Sequence, residues 1–220
     1  GQEKIKVTCS IPPLEWMTQR LGGEHVSPTA LLSESTDPHS FALTPGQLKH
    51  IKKADLVVAC GSLGFEKKLH KLRPDMLQGV DGFTVKNEHV WLSTEFLKAY
   101  AKSLSARLVS LRPSQKAFFE VALNNFLADV EQLEKEIALQ LSKLEQKTFY
   151  SYHGVFYYLA KKYALKETNI QVENRTPSPR ELLRIIKAAK RDKVRVIFMQ
   201  EQFNDRPAKM ISDRTGARIV

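Results

Sequence analysis

From Phe119 onward, Leu123, Phe126, Val130, Leu133, Ile137, Leu141 and Leu144 recur at intervals of three and four, with charged residues between them. That period belongs to one amphipathic helix of about 30 residues, roughly 45 Å long. A helix so much longer than the usual three or four turns, in a chain of 220 residues, has to run past more than one lobe. The chain is thereby constrained to two bodies with the helix between them.

Both flanks of the helix alternate strand and helix signals. Ile5 to Cys9 reads as a β-branched strand stopped by Pro12 and Pro13, and Leu14 to Leu21 as a short helix ended by Gly22 and Gly23. Thr29 to Leu32 is a short apolar run. Thr44 and Pro45 open a helix reaching Lys53, and Leu56 to Cys60 is a continuous apolar strand closed by Gly61. Beyond the long helix come a strand over Thr148 to Tyr152, a helix over Val155 to Lys162 and a strand over Asn169 to Glu173. Ser178, Pro179 and Glu181 then form a capping box, followed by a strand over Val194 to Met199, a helix over Arg206 to Thr215 and a strand starting at Arg218. The expected fold is α/β: two small lobes with mainly parallel sheets, residues 1–112 and 147–220, joined by one long rigid helix within 113–146. No helix follows the last strand, so the second lobe is expected to be incomplete at Val220.

Composition excludes several other classes. Two cysteines, Cys9 and Cys60, allow at most one disulfide and no cysteine-built zinc knot; buried thiols are the favoured reading. No apolar run approaches the roughly 18 residues of a membrane helix. The net charge of +10 invites a nucleic-acid reading. Yet Lys49, Lys52, Lys53, Lys67, Lys68, Lys161 and Lys162 are spread along helix faces without a recognition motif, and no nucleic-acid partner is expected. The start of the chain lacks the apolar core of a signal peptide and reads as a mature or recombinant end. Gly61-Ser62-Leu63-Gly64 reads as a tight strand-to-helix turn, since the lysine of a phosphate-binding loop is absent.

Three of the six histidines share a setting. His39 lies in Asp37-Pro38-His39-Ser40 after the Thr29 to Leu32 run, His89 follows the Phe83 to Val85 run, and His153 follows the Thr148 to Tyr152 strand. Ligands of open α/β sheets bind beyond the carboxyl ends of strands. Each histidine alone reads as a loop residue with a local hydrogen bond; three together point to a metal site, because neutral imidazole is a good zinc ligand. His25, His50 and His70 sit among charged residues and read as solvated.

Longer stretches carry a resemblance. Asp37-Pro38-His39-Ser40-Phe41 with Thr44-Pro45 and Lys53-Ala54-Asp55-Leu56-Val57-Val58, then His89-Val90-Trp91-Leu92-Ser93, then Tyr152-His153-Gly154 with Phe156-Tyr157-Tyr158-Leu159-Ala160, resemble the metal-binding segments of the zinc and manganese substrate-binding proteins of ABC transporters. Pro177-Ser178-Pro179-Arg180-Glu181-Leu182, Ile197-Phe198-Met199-Gln200-Glu201-Gln202-Phe203 and Thr215-Gly216-Ala217 are similar to signatures of that family's second lobe. The match spans nearly the whole chain in the family's order.

The resemblance implies that His39, His89 and His153 are metal ligands, and that the fourth is an acidic residue in a stretch lying beyond Val220. Glu201 is the nearest candidate within the chain. The long histidine-rich loop of many zinc members is missing between Asp81 and His89. Three imidazoles and a carboxylate favour Zn2+ over Mn2+ or Fe2+ by ligand softness, and manganese members frequently carry Glu where this chain has His153. The resemblance further implies a monomeric, non-enzymatic protein, periplasmic or anchored to the outer face of the cytoplasmic membrane, that delivers its metal to an ABC permease. A zinc hydrolase is the distant alternative, with Glu88 or Glu201 as general base.

Overall fold

Leu56, Val57, Val58 and Ala59 have no polar side, and in the computed structural model all four are buried, as a central strand of a parallel sheet requires. Residues 3–33, 36–38 and 41–220 are described. They divide into two units, Gly1–Ile137 and Ala138–Val220.

In the first unit the order is β1 (Ile5–Cys9), α1 (Pro12–Gly22), β2 (Val26–Ala30), α2 (Pro45–Lys53), β3 (Leu56–Ala59), α3 (Glu66–Leu72), β4 (Leu77–Gln78), α4 (Thr94–Leu111) and the start of α5 (Lys116–Ser142). The four strands pair in parallel in the order β2-β1-β3-β4, with Val7 opposite both Pro28 and Leu56. Pro28 is tolerated because β2 is an edge strand, where a missing N–H faces no partner. Pro12 and Pro13 do not precede α1 as the pattern reading had it; they form its first turn, where the absent N–H would have had no intrahelical acceptor. Thr44 caps α2 as expected: its hydroxyl accepts from Gln47 N at 3.3 Å and Gln47 Oε1 accepts from Thr44 N at 2.9 Å.

Helices α3 and α4 were not anticipated. The signal for α4 was present, since Phe96, Tyr100, Leu104 and Leu108 stand four apart and all are buried. The long helix is α5, 27 residues, and the boundary between units falls inside it. Its apolar stripe is not buried throughout: Phe119, Phe126 and Val130 are covered, whereas Leu133 within the helix and Leu144 just beyond it are each 45% exposed.

The second unit continues with β5 (Thr148–Ser151), α6 (Tyr157–Lys162), β6 (Lys166–Asn169), α7 (Pro179–Arg191), β7 (Val196–Phe198), α8 (Arg206–Thr215) and β8 (Arg218–Ile219). Its strands are parallel in the order β6-β5-β7-β8. The strand expected over Asn169 to Glu173 is instead Lys166–Asn169, in register with Thr148–Ser151. As an edge strand of polar residues, it gives no hydrophobic signal. Tyr150, Ile170, Leu182, Ile186, Ile197 and Ile211 form the core. The basic excess is concentrated here: 17 Lys and Arg face 8 Asp and Glu in residues 138–220, against 17 and 16 in residues 1–137. Helix α7 alone carries Arg180, Arg184, Lys187, Lys190 and Arg191.

The α7 cap is the reciprocal box read from the sequence. Ser178 Oγ accepts from Glu181 N, Glu181 Oε2 accepts from Ser178 N at 2.7 Å, and Arg175 grips the same carboxylate at 2.8 and 2.9 Å. The Arg175 hydrogen bonds, with those from Ser178, hold the Glu181 carboxyl down at about 2. A lowered folded-state pKa gives stability that is present above the ordinary carboxylate range and lost as pH falls toward 2. Ser178→Ala is expected to cost about 1 kcal/mol in urea unfolding at pH 7. A loss below a few tenths would show that the cap contributes nothing.

Candidate metal centre

His89 and His153 are each held in the same way by a neighbouring carboxamide. The run Phe83 to Val85 is not a strand, so His89 does not stand beyond a strand end as the sequence suggested; it ends an irregular segment and opens the single turn Val90–Leu92, which leads into the Ser93 cap of α4. His89 is 4% exposed. Asn87 Oδ1 accepts from His89 N at 2.9 Å and lies 2.7 Å from His89 Nδ1. A backbone N–H can only donate, so the Asn87 oxygen faces His89, and Nδ1 carries a proton. When the ring is neutral, its lone pair therefore sits on Nε2. Trp91 packs edge-on against the ring at 5.2 Å.

His153 follows β5 as expected. Tyr152 N donates to Phe198 O at 2.8 Å and Gln171 N to Tyr152 O at 2.9 Å, so the backbone ladder extends to the residue before the histidine. That register brings Gln171 across from His153, with Oε1 2.7 Å from Nδ1. Gln200 Nε2 donates to the His153 carbonyl at 3.1 Å, and the Phe203 ring lies 5.3 Å away. His153 is 5% exposed. Beside it, a Cβ on Gly154 would lie 2.2 Å from Asn169 Nδ2, so a larger residue there would displace the Asn169 carboxamide.

Holding Nδ1–H on a fixed oxygen is how metal-binding imidazoles are oriented, and it raises the basicity of the other nitrogen. Each such ring is a nitrogen donor of the kind that Zn2+ and other first-row divalent ions accept. His39 lies outside the described residues, and among the described residues no group of three His, Cys, Asp or Glu that could hold a metal is found. Glu201 is exposed in the turn after β7. Cys9 and Cys60 are unbridged and buried, and burial pushes the Cys9 thiol up to about 12 and Cys60 upward too. A thiol must lose its proton to bind a metal, so neither competes with the imidazoles. His50 and His70 are exposed as expected, but His25 is not simply solvated: its ring meets Phe118 edge-on at 4.7 Å.

Sequence reading named the histidines and missed their holders. Asn87 stood two residues from His89 and was legible in principle. Gln171 and Gln200 lie 18 and 47 residues from His153, and only the strand order brings them there.

Residues 7–220 match the family model described as zinc-uptake complex component A, periplasmic. The high-affinity zinc uptake system protein ZnuA of Bacillus subtilis is 25% identical, over 98% of this chain and 77% of its own length. The manganese ABC transporter substrate-binding lipoprotein PsaA of Streptococcus anginosus is 23% identical, over 99% of this chain and 79% of its own. A crystal structure of ZnuA superposes with a TM-score of 0.91 at 30% identity, covering 99% of this chain and 90% of that one. No helix among the described residues is long and apolar enough to cross a membrane. The chain belongs to the zinc-uptake complex component A family, periplasmic metal-binding proteins that serve ABC transporters as solute receptors and are not enzymes.

Proposed function

We propose that this chain captures one divalent transition metal, Zn2+ in preference to Mn2+ or Fe2+, and delivers it to the membrane permease of an ABC transporter. His39, His89 and His153 are the protein ligands in this reading. The fourth position is filled by Glu201 or by an acidic residue beyond Val220. The protein acts as a monomer outside the cytoplasm, in the periplasm or anchored to the outer face of the cytoplasmic membrane.

The observation that supports it is the shared arrangement of His89 and His153, each buried with Nδ1 2.7 Å from a carboxamide oxygen. That arrangement selects Nε2 as the ligand atom in both rings and removes most of their rotational freedom before metal arrives. Zinc is preferred because three imidazoles form a nitrogen-rich set, whereas manganese is better served by oxygen donors. Relatives named for zinc and for manganese match equally well, so family membership does not choose between them.

Imidazole binds metal only when neutral, and its ordinary pKa is about 6.5. Equilibrium dialysis should therefore give one Zn2+ per chain at pH 7.5 and little at pH 5, with Mn2+ failing to displace it. The uptake should also be lost in His39→Ala. Absence of stoichiometric uptake at pH 7.5, or equal uptake by His39→Ala, would overturn the proposal.

A further inference from the structure

Glu66 is a carboxylate buried inside the first unit, 1% exposed, and beside the Ser10 hydroxyl the groups that steady it are three backbone N–H donors of one loop. Its Oε1 accepts from Cys60 N at 2.9 Å, and its Oε2 accepts from Gly61 N at 2.7 Å and Leu63 N at 3.0 Å. The loop follows β3. Gly61 adopts φ +86°, and a Cβ on it would lie 2.5 Å from Val80 Cγ2, so the turn is tight and closely packed. Ser62 is the residue between the clamped N–H groups, and its hydroxyl donates to the Glu88 carbonyl at 2.6 Å. Glu88 precedes His89 in the chain.

We propose that Glu66, acting through Ser62, is a positioning residue for His89. The carboxylate fixes the loop of residues 60–63, the loop fixes the Ser62 hydroxyl, and the hydroxyl holds the Glu88–His89 peptide. Asn87 sets the rotation of the imidazole; the Glu66 and Ser62 line sets where the ring's backbone stands. Burying a carboxylate is costly, and a neutral side chain of similar volume would fill the same space. What only a carboxylate supplies is two oxygens able to collect three N–H groups of one turn at once. Burial pushes the Glu66 carboxyl up, and the Ser10 hydroxyl and the three backbone donors pull it back.

The inference rests on the metal-capture reading and is tested separately from it. Ser62→Ala removes the hydroxyl and leaves the buried carboxylate in place. It should weaken Zn2+ binding by about 10-fold or more, the range seen when the partner of a metal ligand is lost. Removing one neutral hydrogen bond costs about 1 kcal/mol, so the metal-free melting temperature should move by no more than about 4 °C. Ser62→Thr, which keeps the hydroxyl, should restore binding. Glu66→Gln should weaken binding at least as much as Ser62→Ala, and the double variant should bind no more weakly than Glu66→Gln alone. Co2+ should report the same change, as altered visible absorption of the Ser62→Ala complex. If Glu66→Gln fails to fold, the Ser62 pair still decides. Unchanged Zn2+ affinity in Ser62→Ala while His89→Ala loses it would overturn the positioning role alone. Unchanged affinity in both variants would overturn the metal-capture reading and the inference with it.

Discussion

His89→Ala is expected to lower Zn2+ affinity at least about a hundredfold, measured by competition with a chromophoric chelator at pH 7.5. Losing the hydrogen-bond partner of a metal-bound histidine typically costs 10- to 100-fold, so losing the ligand itself must reach or exceed the top of that range. Asn87→Ala supplies the internal comparison and should fall within it. In the parent, Asn87 Oδ1 accepts both from His89 N and from Nδ1; without it the imidazole can turn, and either nitrogen can carry the proton. The melting temperature of each variant without metal separates site from fold. An unchanged affinity in His89→Ala, with the fold intact, would remove His89 from the ligand set.

Phe96→Ala should destabilise the metal-free protein by about 3–5 kcal/mol in urea unfolding, the usual cost of emptying a buried aromatic position. The ring is fully buried. It stacks on Tyr100 at 5.5 Å with planes 9° apart and takes the edge of Phe83 at 5.6 Å. It also lies against the backbone at Gly79, where a Cβ would be 2.5 Å from its Cζ. Little can move in to fill the space. Because Phe96 is the third residue of α4, whose Ser93 cap closely follows His89, the same variant couples stability to the site. Saturating zinc at about 100 times Kd should return about 2.7 kcal/mol if the folded variant still binds normally. A loss under about 1 kcal/mol would show that the aromatic cluster is not the support described.

How much of this was legible depended on whether a residue acts through a local pattern or through distant partners. The helix starts were readable because a cap is local: Thr44 with Gln47 and Ser178 with Glu181 close their boxes over three residues. Strand β3 was readable because a centre strand must be apolar on both faces. Edge strand β6, Lys-Glu-Thr-Asn, was misplaced because an exposed edge needs no apolar residue. The stripe on α5 was correctly periodic, yet periodicity does not say where burial stops, and Leu133 and Leu144 are exposed.

The sequence by itself determined the α/β alternation, the long helix and the histidines, since these depend on residue type and spacing within one element. Only the tertiary structure decided how the described histidines are held. Gln171 meets His153 because β5 and β6 pair in a particular register, and Glu66 reaches the neighbourhood of His89 because a turn after β3 folds onto Glu88. Register and loop closure are long-range hydrogen-bond choices, made between segments whose separation along the chain carries no trace of them.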